Sequence, residues 1–421
     1  MIEEKAFLDK KTKSIIWHVV LEYRKKRNSA LLKNNIEVEK FRDELREIKE
    51  RAICNIEELK KKAIENFKSQ GVEVLEAKDS KDARNLIEEI LKDRKVIVKS
   101  KSNTFNEIDS KGFLSDKELV ETDLGDFLVQ LFDTEEIHPV LPALHLAPET
   151  ISKKIKEKFG ESVLADPRSI ASFVRGFLRK KIVLADAGIS GANAITADGK
   201  IVILENEGNI SFVSRFPDIH IVLAGWEKIV ENINDAMKVV LASAIWGTGQ
   251  EFPVYVSIIS GPSKTADIQN ETVIGAQGAK KLFLILLDNG RSEIVRSDFK
   301  EVLYCLNCGA CLNFCPVFNQ IGRNYGVKYL GSRGIIFAGL TEGAEKAFSG
   351  NCFACTLCSA CFENCPVRID LPRLMKGLRN LLTEENVQTK ENEEMISKIR
   401  EFGNPFGKIA KGKIPKKLYC C

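Results

Sequence analysis

The sequence lacks a strong excess of charge of either sign. It has 63 lysine and arginine residues against 59 aspartate and glutamate residues, which leaves a formal net charge of +4. Such a small bias gives no reason to expect a nucleic-acid partner. Glycine and proline are not abundant either, at 28 and 12 residues, and 44% of the residues are hydrophobic. This composition excludes a mostly disordered or collagen-like protein and predicts a globular chain of about two to three domains.

The N-terminus lacks the apolar segment of a secretory signal, because charged residues begin at Glu3. Long uncharged runs are also missing, except for Val302–Gly322, which contains four cysteines, three asparagines and a proline. Unsatisfied amides are expensive in lipid, so this run predicts a buried ligand loop rather than a membrane span. We therefore expect a cytoplasmic protein without a transmembrane segment, in which thiols stay reduced and clustered cysteines bind metal.

Cysteine is nearly absent from the first 300 residues, where Cys54 stands alone among the twelve cysteines of the chain. Eight of the others form two copies of the pattern C-x2-C-x2-C-x3-C-P, namely Cys305, Cys308, Cys311 and Cys315 before Pro316, and Cys355, Cys358, Cys361 and Cys365 before Pro366. Three cysteines at this spacing bind one iron–sulfur cubane, and the fourth reaches the other cluster. We therefore predict two [4Fe–4S] clusters with crossed ligands: Cys305, Cys308, Cys311 and Cys365 for the first, and Cys355, Cys358, Cys361 and Cys315 for the second.

Zinc and disulfides are weaker interpretations of these motifs. A structural zinc site needs four ligands, usually in two separated C-x2-C pairs, and a disulfide framework needs an oxidising compartment. Cys352 adds a further C-x2-C with Cys355, and is either a spare thiol or part of a shifted ligand set. We expect Cys420 and Cys421 to be free thiols rather than a third metal site, and Cys54 to be a structural residue of an amphipathic helix.

The pattern of apolar residues divides the chain into four segments. Apolar positions three and four apart between Phe41 and Phe67 predict helix, which Gly71 ends. Helical windows between the two cysteine motifs, at Gly334–Leu340 and Glu342–Phe348, indicate a helical ferredoxin domain. We therefore predict an N-terminal helical segment (1–70), an α/β domain (71–292), a helical di-cluster ferredoxin domain (295–380) and a charged C-terminal tail (381–421).

Short β-rich runs alternate with helical windows in the second segment. The runs are Val72–Leu75, Val96–Val98, Ile182–Leu184, Ile201–Leu204, Ile219–Leu223, Val254–Ser260 and Leu282–Leu287. This alternation predicts a sheet covered by helices on both faces. Asp198-Gly199 predicts a hairpin turn, so we expect some antiparallel strands as well.

Small and polar residues in this domain are candidates for a ligand site. Gly188, Ser190, Gly191 and Asn193, read as following the strand Ile182–Leu184, form either a phosphate- or carboxylate-binding loop or simply a tight turn. The spacing matches neither G-x-G-x-x-G nor a Walker loop.

Two further loops add candidates. Glu205 and Glu207 are either acid/base groups or a polar turn. Ser263 and Asp267 lie in a glycine-bearing loop that could join the same pocket, since ligands collect at the carboxyl ends of strands. His138 and His145 flank a proline-broken apolar loop, and we expect core or capping roles for them rather than metal binding.

Together these segments resemble the lactate-utilisation (LUD) domain. The resemblance is carried by Asp186-Ala-Gly-Ile-Ser-Gly-Ala-Asn193, by Glu205-Asn-Glu-Gly-Asn209 and by Gly261-Pro-Ser-Lys-Thr-Ala-Asp-Ile268. A LUD domain followed by two iron–sulfur motifs is similar to the iron–sulfur subunit of a three-protein L-lactate oxidation system. The resemblance implies a fold akin to ribose-phosphate isomerase and CoA-transferase domains.

The resemblance also implies partners and a function. The partners are a cysteine-rich (CCG-type) iron–sulfur subunit and a second LUD-domain protein, and the electron acceptor is unknown. The chain would then be a non-autonomous electron-transfer subunit of a complex that oxidises lactate or a related hydroxy acid. Two alternatives remain: the LUD domain is itself catalytic, with Glu205 or Glu207 as acid/base, or the chain is a redox-sensing scaffold. Because relatives tend to continue beyond the clusters, we expect a different partner-docking tail here.

Overall fold

The computed structural model describes residues 7–108 and 113–409 of the chain. Cys420 and Cys421, for which the sequence predicts free thiols, lie outside the described residues, as does most of the basic tail. Within the two described ranges, no helix is both long and apolar enough to cross a membrane.

The chain begins with three helices, α1 (Lys10–Lys33), α2 (Val38–Cys54) and α3 (Ile56–Ser69). The helical spacing between Phe41 and Phe67 is therefore confirmed, although it covers two helices that meet at Asn55. Gly71 follows α3 with a φ angle of 86°, in the region that favours glycine, and so lets the chain turn into the first strand.

The strands are β1 (Glu73–Ala77), β2 (Val96–Lys99), β3 (Glu118–Glu121), β4 (Ala187–Ser190), β5 (Ala194–Thr196), β6 (Lys200–Glu205), β7 (Ile219–Gly225), β8 (Ile229–Val230), β9 (Tyr255–Ile259), β10 (Lys264–Thr265), β11 (Val273–Ile274) and β12 (Lys281–Leu287). The main sheet has the strand order β1-β12-β7-β4-β2-β3, and every pair in it is parallel. The central strand β7 is buried along its whole length, as expected for a sheet covered on both faces.

A second, smaller sheet has the order β8-β5-β6-β9. Its pairs β5–β6 and β6–β9 are antiparallel, whereas β5–β8 is parallel. The turn between β5 and β6 is the predicted hairpin at Asp198-Gly199, with Gly199 at a φ angle of 80°. The expected mixture of parallel and antiparallel strands is therefore confirmed, and strands β10 and β11 form a separate antiparallel pair.

The helices of the α/β region are α4 (Ser80–Ile90), α5 (Asn103–Glu107), α6 (Leu124–Phe132), α7 (Pro148–Phe159), α8 (Pro167–Val183), α9 (Asn209–Arg215), α10 (Ile233–Thr248) and α11 (Arg291–Ile294). Residues of α4 and α5 pack in one core with alternate residues of the main sheet, and residues of α6, α7 and α8 pack in another. The sheet is therefore covered on both faces, as the sequence predicts.

The prediction of a strand at Ile182–Leu184 is wrong. These residues form the end of α8 and its C-cap, and the strand that follows is β4. Asp166 caps the start of α8, and Pro167 occupies its first turn, where its missing N–H costs nothing. The buried side chains of this helix recur every four residues, at Ile170, Val174, Leu178 and Ile182. The short apolar run is therefore the last turn of a helical stripe rather than a strand.

The C-terminal region is helical, with α12 (Ala310–Asn313), α13 (Phe318–Ile321), α14 (Gly331–Thr341), α15 (Ala344–Ser349), α16 (Ala360–Glu363), α17 (Leu371–Glu384) and α18 (Lys390–Phe402). The helical windows predicted between the motifs are confirmed as α14 and α15. Helix α14 packs against α15 and α17, while α12 packs against α16 and so joins the two motifs. Helix α18 buries none of its described side chains.

The largest core joins both ends of the chain. It combines buried residues from α2 and α3, from the second sheet, from α10 and from the cysteine-bearing region, among them Leu45, Phe67, Ile195, Trp246 and Met375. Burying apolar surface contributes about 25 cal/mol per Å², so a core shared in this way couples the N-terminal helices to the cysteine loops energetically.

Candidate iron–sulfur centre and adjoining cavity

The two cysteine motifs form loops of the same shape. Asn307 and Leu357 occupy equivalent positions 50 residues apart, with φ angles of 58° and 56°. Gly309 and Ser359 form a second equivalent pair, with φ angles of 75° and 64°. A left-handed backbone costs a residue with a side chain roughly 1–2 kcal/mol, and strain of this kind concentrates at functional sites. Turns in this conformation direct successive N–H groups into a concavity that suits anions and iron–sulfur clusters.

The first group of thiols combines both motifs. Burial raises the pKa of Cys308 to about 12, with smaller contributions from the neighbouring thiols of Cys305 and Cys365. Burial also raises the pKa of Cys311 well above its usual range, with smaller contributions from Cys305, Cys308, Cys361 and Cys365. Three of these thiols belong to the first motif, and Cys365 comes from the second. The same four residues, Cys305, Cys308, Cys311 and Cys365, form the first ligand set of the crossed assignment.

The second group is the reciprocal one. Burial raises the pKa of Cys361 to about 12, helped by Cys315, Cys355 and Cys358. Cys315 lies in the first motif. Burial is the main cause of its raised pKa, and the thiols that contribute are Cys355 and Cys358 of the second motif. Because Cys361 also neighbours Cys311 of the first group, the two groups adjoin.

Backbone N–H groups donate hydrogen bonds to three of these sulfurs, an arrangement that also tunes iron–sulfur clusters. The donor–sulfur distances are 3.3 Å from Asn307 to Cys305, 3.4 Å from Phe318 to Cys315 and 3.5 Å from Ile369 to Cys365. In the part of the chain that the structure describes, no three His, Cys, Asp or Glu side chains converge as ligands of a single metal ion. A cubane takes one cysteine at each of its four irons, so a group of four neighbouring thiols is the donor set that such a cluster needs.

Buried lysines lie beside the first thiol group. Lys49 and Lys228 are 2% and 6% exposed, and both interact electrostatically with Cys305. Burial lowers the pKa of Lys49 to about 8, and the nearby positive charge of Lys228 lowers it further. Lys49 donates a hydrogen bond of 2.5 Å to the carbonyl of Glu227, which holds its ammonium group in place.

Two buried arginines adjoin these lysines. Arg291 is fully buried and pairs with Glu107 at 2.5 Å and with Glu227. Arg333 is also buried, and its three guanidinium nitrogens have no hydrogen-bond acceptor among the described residues. The guanidinium of Arg333 lies 4.3 Å from the ring centroid of Tyr329 and 4.5 Å from that of Phe337. Buried charge without an ionic partner is costly, and a cubane ligated by four thiolates is negatively charged. The four buried cations, Lys49, Lys228, Arg291 and Arg333, outnumber the two buried carboxylates that pair with Arg291, and a negatively charged cluster nearby would offset this excess of positive charge.

Arginines from other elements hold the cysteine loops. Arg42 of α2 is buried, and its Nε donates to the carbonyl of Cys365 at 3.0 Å. Arg379 of α17 donates to the carbonyls of Cys352 and Cys355, at 2.8 and 2.6 Å. These bonds fix the backbone at one residue of each proposed ligand set without using the sulfur atoms.

The two thiol groups differ in exposure. Cys358 of the second group is the exposed member of the eight, whereas Cys365 of the first group is 8% exposed. Phe353, which is 43% exposed, lies just before the second motif. The second group is therefore the more accessible of the two from solvent.

The remaining described cysteines have different surroundings. Cys352 is fully buried and lies in the 3-10 turn Cys352–Ala354. The two motifs are 50 positions apart, so Cys352 is the equivalent of Val302 in the first motif. Val302 is buried in the core, and Cys352 occupies the corresponding core position. Cys54, expected to be structural, is instead exposed at the end of α2.

A cavity of about 360 Å³ lies between the α/β domain and the first cysteine loop. It is at the carboxyl ends of three adjacent strands of the main sheet, where ligands of α/β proteins collect. Ser102 follows β2, Gly191 follows β4 and Lys228 follows β7, and Asn307 and Cys308 of the first motif complete the wall. The cavity therefore adjoins the first thiol group directly.

The structure brings some of the predicted ligand-loop residues to this cavity. Gly191 and Asn193 line it, and a Cβ atom on Gly191 would meet Ser102 Oγ at 2.8 Å, so two loops approach closely there. Gly188 and Ser190 belong to β4 instead and do not line the cavity.

Gly188 and Ser190 pack within the sheet region. A Cβ atom on Gly188 would lie 1.9 Å from the carbonyl oxygen of Val213, so glycine lets α9 pack closely on β4. Ser190 is buried, and its Oγ is 2.8 Å from Nε2 of His220, whose pKa burial lowers to about 3.

The two predicted acidic candidates, Glu205 and Glu207, line the cavity, whereas the loop candidates Ser263 and Asp267 do not. Glu205 is buried and accepts hydrogen bonds from Ser211 and Ser257. Glu207 is exposed at the mouth and accepts a hydrogen bond from the N–H of Leu124 at 3.1 Å. Ser263 and Asp267 lie beside the β10–β11 pair, away from the cavity, and Asp267 is exposed. Their ligand roles, like that of the acidic pair, stay predictions.

His138 and His145 occupy the loop before α7. His138 is buried, and its Nδ1 accepts hydrogen bonds from the N–H groups of Val140 and Leu141, at 3.2 and 3.3 Å. Burial lowers the pKa of His138 to about 4, so the ring is neutral and caps the loop. The expectation of a capping role is confirmed for this histidine.

Sequence reasoning missed Lys228 and the loop Lys101–Thr104. Both follow strands that the sequence predicted correctly, β7 and β2. The signal was available, because polar residues directly after neighbouring parallel strands collect at one edge of the sheet. The register that places β2, β4 and β7 side by side, however, is a property of the fold.

Comparison with protein-family models gives two matches. The LUD domain matches residues 60–287, more than half of the chain, and the 4Fe-4S dicluster domain matches residues 301–369. The second match contains all eight cysteines of the two thiol groups. The order of the two domains is the one expected from the sequence.

Comparison with individual proteins identifies relatives that share one family name. Lactate utilization protein B of Macrococcus caseolyticus is 33% identical over 370 residues, which cover 86% of this chain and 75% of the relative, and that of Bacillus pumilus is 33% identical over 372 residues, which cover 87% and 76%. The uncharacterized electron transport protein YkgF of Escherichia coli is 30% identical over 364 residues, which cover 85% and 75%. A DUF162 family crystal structure from Deinococcus radiodurans aligns with 55% of this chain and 96% of its own, with 12% identity and a TM-score of only 0.31. The chain thus belongs to the lactate utilization protein B family of iron–sulfur proteins, with a LUD domain followed by a 4Fe-4S dicluster domain.

Proposed function

We propose that this chain is an electron-transfer subunit that relays single electrons through two [4Fe–4S] clusters during oxidation of L-lactate or a related hydroxy acid. The observation that supports the proposal is that Cys365 of the second motif neighbours thiols of the first motif, while Cys315 of the first motif neighbours thiols of the second. Clusters held in this way are close neighbours, which suits transfer of one electron at a time.

Differences in exposure give the relay a direction. The group around Cys308 adjoins the cavity, whereas the group around Cys358 faces solvent. Electrons would therefore enter at the buried cluster and leave through the exposed one. A cysteine-rich CCG-type subunit, a second LUD-domain protein, or both would dock on the face around Cys358 and Phe353 and pass the electrons to the final acceptor.

The protein's own residues tune and position such clusters. When bound, the clusters supply reversible one-electron redox chemistry, with potentials that depend on charge, hydrogen bonds and solvent exposure. Lys49 and Lys228 place positive charge near Cys305, which favours the reduced state of a cluster there. Arg42 and Arg379 hold the loop backbones, so the thiols keep their positions when the cluster charge changes.

Anaerobic purification tests the proposal. The protein should be brown and contain about 8 irons per chain, and the reduced clusters should show magnetic coupling in electron paramagnetic resonance (EPR) spectra. Alone it should not turn over lactate with an artificial acceptor, because oxidation of a hydroxy acid releases two electrons together, whereas each cluster exchanges one electron at a time. A partner would have to supply the group that takes the electron pair. Turnover should require the partner proteins.

A matched pair of variants locates the exit. Cys358→Ser should abolish turnover by the complex and alter the exposed cluster, whereas Cys54→Ser, also at an exposed thiol, should change neither. A protein that carried zinc, or that oxidised lactate by itself, would contradict the proposal.

A further inference from the structure

Two buried hydroxyl groups lie beside the second thiol group. Tyr325 is fully buried and Ser332 is 8% exposed, and their side-chain oxygens are 2.7 Å apart. Ser332 Oγ is in turn 4.0 Å from the sulfur of Cys355, a long contact that a large acceptor such as sulfur still allows. Tyr325 also interacts electrostatically with Cys355 and Cys315, one thiol from each motif. The two hydroxyls therefore face the ligand set assigned to the exposed cluster.

The backbone between the two residues holds them together. The N–H of Gly331 donates to the carbonyl of Tyr325 at 2.6 Å, and Gly326 and Leu330 form a β-bridge across the loop. Gly331 has a φ angle of 75°, in the region that favours glycine, and α14 begins there. Ser332 follows in the first turn of this helix. Backbone hydrogen bonds therefore return the chain to Tyr325 and set the separation of the two hydroxyls.

The chemistry of a ligated cysteine fixes the direction of these contacts. A cysteine bound to iron is a thiolate, which has no proton and can only accept a hydrogen bond. Ser332 must then donate its one hydroxyl proton to Cys355, so its oxygen accepts the proton of Tyr325. The result is a chain of donors that runs from Tyr325 through Ser332 to Cys355. Buried hydrogen bonds that are linked in this way strengthen one another.

Donors to cluster sulfur make reduction easier, because the added electron increases the negative charge that they stabilise. The buried cluster has another source of the same effect. Cys305 is the equivalent of Cys355 in the first motif, and it lies beside the buried cations Lys49 and Lys228. These cations would hold electrons on the buried cluster unless reduction of the exposed cluster were favoured as well. The hydroxyl chain at Cys355 favours it.

We propose that Tyr325 and Ser332 tune the electron relay: their hydroxyl chain donates to the Cys355 thiolate and raises the reduction potential of the exposed cluster. One electron then leaves the buried cluster and reduces the exposed one, and this step involves no other reactant. The inference rests on the proposed function, because it needs a cluster in each thiol group. Neither residue ligates iron, so substitution should change the potential and leave both clusters in place.

An EPR-monitored redox titration of the anaerobically prepared, iron-loaded full chain tests the inference. Tyr325→Phe removes one oxygen and keeps the ring. It should lower the equilibrium constant for reduction of the exposed cluster about 3- to 10-fold, the value of one neutral hydrogen bond. For a one-electron couple this is a fall in potential of about 30–60 mV. The signal that Cys358→Ser alters identifies the exposed cluster, and the potential of the buried cluster should not change.

Substitutions of Ser332 test the donor that contacts the sulfur. Ser332→Ala should lower the potential of the exposed cluster by at least as much as Tyr325→Phe, and Ser332→Thr, which keeps the hydroxyl, should restore it. Because Tyr325 acts mainly through Ser332, the double variant should shift the potential by less than the sum of the two single shifts. The alanine and threonine variants also decide the question if Tyr325→Phe fails to fold.

Tyr304→Phe is the matched control. Tyr304 is also fully buried, and its hydroxyl has no hydrogen-bond partner among the described residues. The groups that interact with it, Glu50, Cys54, Arg46 and Glu301, belong to neither ligand set. Removal of this hydroxyl should therefore shift neither potential.

The outcomes separate this inference from the proposed function. Full iron content with unchanged potentials in both Tyr325→Phe and Ser332→Ala would overturn the hydroxyl chain and leave the relay intact. An equal shift in Tyr304→Phe would also overturn it, because the effect would then not depend on contact with Cys355. A protein that cannot hold iron–sulfur clusters would overturn the relay itself, and the hydroxyl chain with it.

Discussion

Replacing cysteines by serine in pairs tests which thiols share a cluster. Cys365 is grouped with Cys305, whereas Cys315 is grouped with thiols of the second motif. The pair Cys305→Ser and Cys365→Ser would therefore remove two ligands from one group and leave the other complete. The pair Cys305→Ser and Cys315→Ser also removes two thiols, but takes one from each group.

The iron content gives the size of the effect. Two [4Fe–4S] clusters amount to about 8 irons per chain. The first pair of substitutions should leave about 4 irons in one unaltered cluster, because only two thiolates of the other group remain. The second pair should leave no unaltered [4Fe–4S] cluster, since each group keeps three thiolates.

Iron and sulfide assays together with EPR spectra of the reduced protein measure the outcome. Cys54→Ser is the control, because Cys54 is exposed and belongs to neither group. It should retain about 8 irons. If the pair Cys305→Ser and Cys315→Ser instead left one normal cluster, and the pair with Cys365→Ser left none, each motif would hold its own cluster and the crossed grouping would be refuted.

Three further predictions concern stability. Arg291→Met leaves two buried carboxylates unpaired and should lower the free energy of unfolding by about 3–5 kcal/mol in urea titrations; a loss below 1 kcal/mol would contradict the role of this ion cluster. Burial and the charge of Asp123 raise the pKa of Glu207 from 4.5 to about 7, so the folded state loses stability relative to the unfolded state as the pH rises between these two values. Glu207→Gln should therefore raise the melting temperature at pH 8 and not at pH 4. Solvent screening limits the gain in stability to about 1 kcal/mol. An equal gain at both pH values would show that ionisation of Glu207 is not its cause. Gly188→Ala, which brings Cβ against the carbonyl of Val213, should cost about 1–3 kcal/mol, whereas Gly176→Ala, where no atom lies within 4 Å, should be neutral or stabilising.

The sequence predicted the architecture where a local pattern decides it. The strands at β6, β7 and β12, the hairpin at Asp198-Gly199 and the helices between the motifs follow from apolar runs and turn residues. Ile182–Leu184 was misread because three apolar residues fit a strand and a buried helix equally well, and only the four-residue spacing back to Ile170 distinguishes them.

The site was predictable only in part, for a related reason. The cysteine ligands are fixed by spacing within 11 residues, so a motif suffices to find them. The cavity depends on strands distant in sequence that become neighbours in the sheet, which no local pattern encodes. Lys228 could be read as an ordinary loop lysine, and its burial beside Cys305 follows from the packing of the cysteine region against the sheet.

The contact between Arg42 and the carbonyl of Cys365 spans 323 residues of sequence. A ribosome releases the helices at the N-terminus long before the second motif exists, so during synthesis these helices carry apolar surface with nothing yet to cover it. Contacts at such separation slow folding, and exposed intermediates of large proteins aggregate readily. Delivery of iron and sulfide to the nascent polypeptide would then be a step in its maturation as well as in its redox chemistry, and starvation for iron should deplete the whole protein rather than leave a stable colourless form.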